Sequence, residues 1–317
     1  MLRWLTECDQ GWPAGMGPLG ALSECKIRIS DAAEAGFDWL QDNLSGLFDA
    51  MALALEVMID VILALLQDPP NTGWLYDLRR SEIDYLYPPE WHPILMTVIF
   101  VALAYRLHRG WRMPALLAAG LMFIINQGYW EETTESLTLV MAACVVCMGL
   151  GVPIGIAAAH RPRLYAAMRP VLDLMQTLPT FVYLIPAIVF FGIGMVPGLI
   201  ATVIFVLPAP IRLTHLGISS TPVALIEAAD AFGATPRQKL WKVELPYAAP
   251  QIMAGLNQTI MLSLSMVVIA ALVGADGLGV PVVRALNQVN TGLGFEAGLI
   301  IVVVAILLDR LLRVQRR

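Results

Sequence analysis

The chain has 317 residues, 58% of them hydrophobic and 14% charged, with a formal net charge of −5 at pH 7 and a mean hydropathy of +0.70. Soluble domains carry nearer about 25% charged residues, so a water-soluble globular class is excluded and an all-α polytopic membrane protein is expected. The net charge itself says little, because in such proteins the placement of Lys and Arg decides orientation.

In chain order, the opening stretch MLRWLTECDQGWPAGMGPLG lacks the continuous apolar core of a secretory signal. Cys8 and Cys25 could pair if their side of the membrane is oxidising. Over 31–66, the carboxylates Asp31, Glu34, Asp38, Asp42, Asp49, Glu56 and Asp60 fall within an arc of about 80° on a helix. The spacing predicts an amphipathic helix with one acidic stripe. If 47–66 crossed the bilayer, three of these carboxylates would enter it, at about 2.5–3.5 kcal/mol each on insertion scales. A helix on the outer surface, packed against the membrane domain or a partner, is therefore expected. An eighth span with its carboxylates turned toward the bundle is the alternative.

Seven spans follow, at about 91–107, 114–130, 136–159, 171–191, 196–212, 251–273 and 296–312, each near the roughly 20 residues that a crossing helix needs. With residues before the first span placed outside, fourteen of the twenty Lys and Arg fall in the four inside segments 106–113, 160–170, 212–250 and 308–317. That is the positive-inside pattern, with the N-terminus outside and the C-terminus inside. The expected organisation is an extracytoplasmic region 1–90, two peripheral spans in 91–130, a membrane core in 131–312 and a cytoplasmic tail 313–317. With five residues after the last span, no fused binding domain is expected.

Inside the third span, Cys144 and Cys147 form C-x-x-C in the apolar run VMAACVVCMGLGVP. Without polar partners nearby, this reads as small residues packing in a membrane helix rather than a redox or metal motif. His92, His108, His160 and His215 sit at span ends with no metal-ligand spacing. GADGLGVP (274–281) lacks the strand context of a nucleotide fingerprint and reads as a bent extracellular turn. No G-x-x-x-x-G-K-[ST] occurs, and no nucleophile–base pair is legible. No catalytic residue, metal site or cofactor is expected in this chain.

The segment 212–250 stands apart. Its stretch EAADAFGATPRQKLWKVELP (227–246) holds six charges between two greasy spans. Thr221 and Pro222 suit an N-cap and first helical position, and Gly233 suits a left-handed C′ residue. Thr235-Pro236-Arg237-Gln238 reads as a capping box, and Pro246 is expected to stop the second helix. Two short helices joined by a tight turn, tethered at both ends, result. DNA binding by this pair is not expected, since its charge is balanced and both ends are held at the bilayer. A plain connector rarely needs nearly forty residues, since most run about four to six.

Glu227-Ala228-Ala229, Gly233 separated by nine residues from Val243, and Leu245-Pro246 together resemble the EAA motif of ABC importer permeases, with Val243 where isoleucine is usual. The resemblance implies that this loop, Ala234 included, is a coupling element docking on a separate cytoplasmic ATPase that holds ATP and Mg. PVLDLMQTLPTFVYLIPAIVFFGIGMVPG (170–198), FVLPAPIRLTHLGI (205–218), GLNQTIMLSLSMVVIAALVGADGLG (255–279) and ILLDRL (306–311) are similar to the membrane subunit of glycine betaine/proline betaine importers, the ProW type. This implies a type I ABC importer transmembrane domain in a bacterial inner membrane, working as a homodimer with a periplasmic binding protein. The substrate implied is glycine betaine or a related methylated ammonium compound.

The rival class is an ion-coupled secondary transporter or channel. Such proteins show ionisable groups at mid-membrane, whereas Glu135, Asp173, Glu296 and Asp309 fall near span ends. Gln176, Thr180 and Tyr183 would share one face of the fourth span, and Asn257 and Ser265 one face of the sixth. They either line a route for a quaternary cation, which π faces suit, or hydrogen-bond between helices.

Overall fold

The computed structural model describes residues 6–8, 25–27, 29–67, 92–108 and 110–312. The remainder of region 1–90, predicted to be extracytoplasmic, and the tail 313–317 lie outside the described residues. Two compact units divide the chain, 1–51 and 52–317, with the boundary inside a helix. In the first unit, β1 (Thr6–Cys8) pairs antiparallel with β2 (Cys25–Ile27), setting the backbone of Cys8 opposite that of Cys25. There α1 (Ile29–Leu66) begins, one continuous helix through the predicted 31–66 segment, and all seven stripe carboxylates along it are exposed.

In the second unit, the last turns of α1 bury Ile59 and Leu66. Leu55, Met58, Ile59 and Ile62 pack with Ala142, Ala143, Leu199 and Val203, and the Gln67 amide donates to the Glu131 carbonyl at 3.2 Å. Only these last turns pack in this way; Leu53, Val57, Val61 and Leu65 of the same segment stay exposed. The helices that follow are α2 (His92–His108), α3 (Arg112–Asn126), α4 (Trp130–His160), α5 (Pro162–Thr177), α6 (Leu184–Phe191), α7 (Met195–Val206) and α8 (Pro208–Ser219). After them come α9 (Val223–Ala231), α10 (Pro236–Lys239), α11 (Leu245–Ala270), α12 (Gly279–Gln288) and α13 (Thr291–Leu312).

Among the described residues, four stretches are long and apolar enough to cross a bilayer: Trp130–His160, Met195–Ser219, Pro236–Val273 and Thr291–Leu311. The predicted fourth span, 171–191, is not one helix. α5 and the Thr180–Phe191 segment meet at 105°. Pro179 is the cause: the residue before a proline is driven out of the helical region, and Leu178 is extended at φ −66°, ψ 138°. The first two predicted spans correspond to α2 and α3. α2 and α3 have 17 and 15 residues, about 26 and 22 Å of helix against a hydrocarbon core of about 30 Å. The predicted fifth span runs on past 212, because Pro208 sits at the start of α8, where it needs no N–H partner. α12 was not predicted as a helix; its Gly279, Pro281 and Ala285 are buried.

The main core joins α2, α3, α4, α11 and α13 through Leu117, Ile124, Leu139, Leu264, Leu278, Ile300 and their neighbours. Three buried hydroxyls are satisfied locally, Thr138, Thr202 and Thr259 donating to carbonyls one turn back at 2.8, 2.8 and 2.9 Å, whereas those of Thr133, Thr214 and Ser263 have no hydrogen-bond partner among the described residues. Close helix approach rests on small residues. A Cβ at Gly155 of α4 would lie 2.7 Å from the Thr214 Cβ and 2.8 Å from the Ile211 carbonyl oxygen of α8. Cys144 and Cys147 are buried free thiols in the same helix, packing as predicted.

Candidate functional site

Between α8 and α11 the chain builds a capped helix pair. α9 ends as predicted: Gly233 is left-handed at φ 73°, its N–H donates to the Asp230 carbonyl at 2.9 Å, and the Ala234 N–H donates to the Ala229 carbonyl at 3.0 Å. These two bonds close a Schellman motif. The predicted capping box also forms. Gln238 N–H donates to the Thr235 hydroxyl, and the Thr235 N–H donates to the Gln238 side-chain oxygen at 2.8 Å. Lys239 closes the pair onto Asp230 at 2.8 Å.

Two local expectations fail. Pro222, not Thr221, is the N-cap of α9, and the Thr221 hydroxyl is buried without a hydrogen bond. Proline already fixes the entry angle, so the threonine is not needed there. Nor does Pro246 stop the second helix. Residues Leu240–Glu244 form a π turn in which the Leu245 N–H reaches back to the Leu240 carbonyl. The wider turn delivers the chain into α11 with Pro246 in its first turn, where a missing N–H costs nothing. The loop helix and the span therefore form one continuous 38-residue stretch, Pro236–Val273.

This pair is held out from the body. α9 buries none of its residues. Glu227, Ala228, Gly233 and Pro246 are exposed, while Ala229, Ala234 and Leu245 are half-buried. Phe232 is 92% exposed and Trp241 69%. Sequence reasoning passed over both aromatics. The available signal was Phe232 lying next to the turn glycine, where a cap places a side chain at the tip of a helix. An isolated nine-residue helix with no buried face is marginal in water, and aromatic anchors in a small-residue setting are what a protein groove takes up.

The predicted route residues are not gathered at one place. Gln176 lies on α5, whereas Thr180 and Tyr183 belong to a 3₁₀ turn beyond the break, so the one-face spacing does not hold. Tyr183 is buried and its hydroxyl donates to the Met175 carbonyl at 2.8 Å, closing the frayed end of α5. Asn257 is half-buried with its side-chain oxygen unsatisfied. Ser265 is exposed and donates to the Met261 carbonyl one turn back at 3.0 Å. A shallow cleft lies elsewhere, lined by Ala271, Val280, Val283, Arg284, Asn287 and Gln288.

Comparisons with known proteins agree with this architecture. Residues 151–317 match the family described as binding-protein-dependent transport system inner membrane component. The chain is 44% identical over 287 residues to a glycine betaine transport system permease protein, OpuAB, of Bacillus subtilis, covering 90% of this chain and 93% of that one. It is 48% identical to the glycine betaine/carnitine transport permease protein GbuB of Listeria monocytogenes, covering 75% of this chain and 81% of that one. It is 37% identical to the glycine betaine/proline betaine transport system permease protein ProW of Escherichia coli, covering 97% of this chain and 80% of that one. Among solved structures, the inward-facing MetNI methionine ABC transporter shares the fold, with a TM-score of 0.52 at 24% identity over 62% of this chain and 98% of that chain. The EAA-type helix pair, the all-helical membrane core and these likenesses converge: the chain belongs to the binding-protein-dependent ABC transporter permeases, in their ProW-type branch.

Proposed function

We propose that this permease carries glycine betaine or a closely related methylated ammonium compound inward, driven by a separate ATPase that docks on the helix pair around 223–246. The observation that carries the reading is α9, a capped helix with no buried residue and Phe232 at its tip. A rigid, apolar, uncovered element at the end of a bundle is built to be covered by another protein. ATP and Mg belong to that partner. The names of the relatives support the substrate class and favour this reading over an ion-coupled transporter or channel.

The working assembly is two copies of this chain with an extracytoplasmic binding protein, in the bacterial inner membrane. Region 1–90 lies outside, 91–130 is peripheral, 131–312 is the transport core with its coupling loop at 212–250, and the tail 313–317 lies inside. Apolar side chains such as Val145, Ile185 and Val302, exposed on the helices, meet lipid or the second copy. The binding protein chooses the substrate, because too few polar groups project from the helices to build a tight cage.

The test is Gly233→Asp and Glu227→Lys in vesicles reconstituted with ATPase and binding protein. Both chains insert, but substrate-stimulated ATP hydrolysis and uptake are abolished. Normal coupled uptake by both variants would refute the docking role.

A further inference from the structure

α4 is fastened at each end by a side chain to the segments that flank α11. At the cytoplasmic end, the His160 Nε2 meets the Glu244 carboxylate at 2.9 Å, and the Nδ1 meets the Ile156 carbonyl at 2.9 Å. The ring thus bridges the last turn of α4 to the Glu244 side chain. Two features mark this contact. His160 is the last residue of α4, where helix carbonyls concentrate negative charge. The Glu244 side chain is only 6% exposed, and a buried carboxylate needs a partner. Glu244 closes the π turn of the coupling segment. Near the other end of α4, the Ser136 hydroxyl accepts from the Leu278 N–H at 2.8 Å, a buried contact in the extracytoplasmic turn that follows α11.

Ser136 and His160 stand about 36 Å apart along the helix axis. Between them α4 packs directly on α11 and on α8, at the close contact of Gly155 with Thr214. α4 runs unbroken from Trp130 to His160, although Pro153 between the two pins removes one bond of its ladder; with both of its ends tied to the segments that flank α11, the two helices are expected to move together. The broken α5–α6 pair has no continuous hydrogen-bond ladder across its bend.

We propose that His160 is a positioning residue for coupling. Its link to Glu244 ties α4 to the docking segment, so that a displacement of the segment by the ATPase is delivered through α4 to the extracytoplasmic turn at Leu278. The proposal rests on the reading of 223–246 as the ATPase dock. It adds that α4 is the element the dock moves and that one hydrogen-bonded pair transmits the motion.

The experiment measures uptake per ATP hydrolysed in vesicles holding permease, ATPase and binding protein. His160→Ala is expected to co-purify with the ATPase and to hydrolyse ATP, while uptake per ATP falls at least fivefold. His160→Lys, which keeps a donor toward Glu244, recovers at least half of the lost ratio. Ser136→Ala, at the far end, lowers the same ratio without loss of the ATPase. An unchanged ratio in His160→Ala overturns the proposal. Loss of the ATPase from that variant also overturns it, because His160 would then merely support the docking surface. A normal ratio in Ser136→Ala overturns the transmission to the outer turn. Failure of the docking reading shows separately, as a Gly233→Asp chain that still binds the ATPase and couples normally whatever stands at 160.

Discussion

Replacing Phe232 by alanine tests the contribution of one anchor to the proposed ATPase docking. The ring is 92% exposed, and the helix behind it buries nothing, so its removal leaves the fold of the permease untouched. In the docked state nearly all of that surface is free to be covered. Full burial of a phenylalanine side chain is worth about 1.5–3 kcal/mol. A loss of about 2 kcal/mol, at about 1.4 kcal/mol per tenfold, weakens ATPase binding roughly thirtyfold. The assay is titration of labelled ATPase onto permease held in lipid nanodiscs, with thermal unfolding of the free permease measured in parallel. Phe295, 75% exposed at the start of α13, is the control, because it lies on the opposite side of the membrane from the dock. A Phe232→Ala affinity within twofold of the parent, or an equal loss in Phe295→Ala, would refute the argument.

Thr235→Ala removes the capping box; it should cost about 1 kcal/mol locally and weaken the same titration roughly fivefold, with normal membrane insertion. Gly155→Leu forces bulk against Thr214 and Ile211, so thermal unfolding in detergent should show a loss of about 1–3 kcal/mol. Tyr183→Phe deletes the bond to the Met175 carbonyl; competition uptake should show an unaltered substrate preference alongside about 1 kcal/mol of lost stability. With the four native cysteines replaced, Val289→Cys should react with an impermeant thiol reagent from outside and Gln238→Cys only from inside; the reverse order overturns the orientation.

The docking segment was largely legible in the sequence because its signals are local. Gly233 and the Thr235–Gln238 box announce caps through chemistry confined to a few residues, and both form. The helical class and the positions of the apolar segments were legible for the same reason, since composition and run length decide them. What escaped was set by backbone geometry at prolines. Three prolines with similar surroundings act in three ways. Pro179 breaks a helix, Pro208 starts one inside a span, and Pro246 sits in the first turn of α11, just after a π turn that no residue type advertises. The route residues were misjudged at the first of these. Once Leu178 turns, the 3.6-residue period no longer connects Gln176 to Thr180 and Tyr183. Phe232 and Trp241 were missed because exposure depends on where the loop is held, which hydrophobicity alone does not encode.

If the helix pair is the proposed dock, the caps of α9 and α10 have a consequence for how quickly permease and ATPase find each other. With the Schellman bonds at Gly233, the Thr235–Gln238 box and the Lys239–Asp230 pair all formed within the free chain, little backbone freedom is left to freeze on contact. Ordering a comparable flexible loop would subtract from affinity at each encounter. On the proposed docking role the pair is folded before the ATPase arrives, so rigid-body docking is expected. Association is then limited by orientation and diffusion, and lifetime by the anchors that must be withdrawn. Substitutions at Phe232 and Trp241 act on the dissociation rate, whereas those that loosen Gly233 or Thr235 act on the association rate as well.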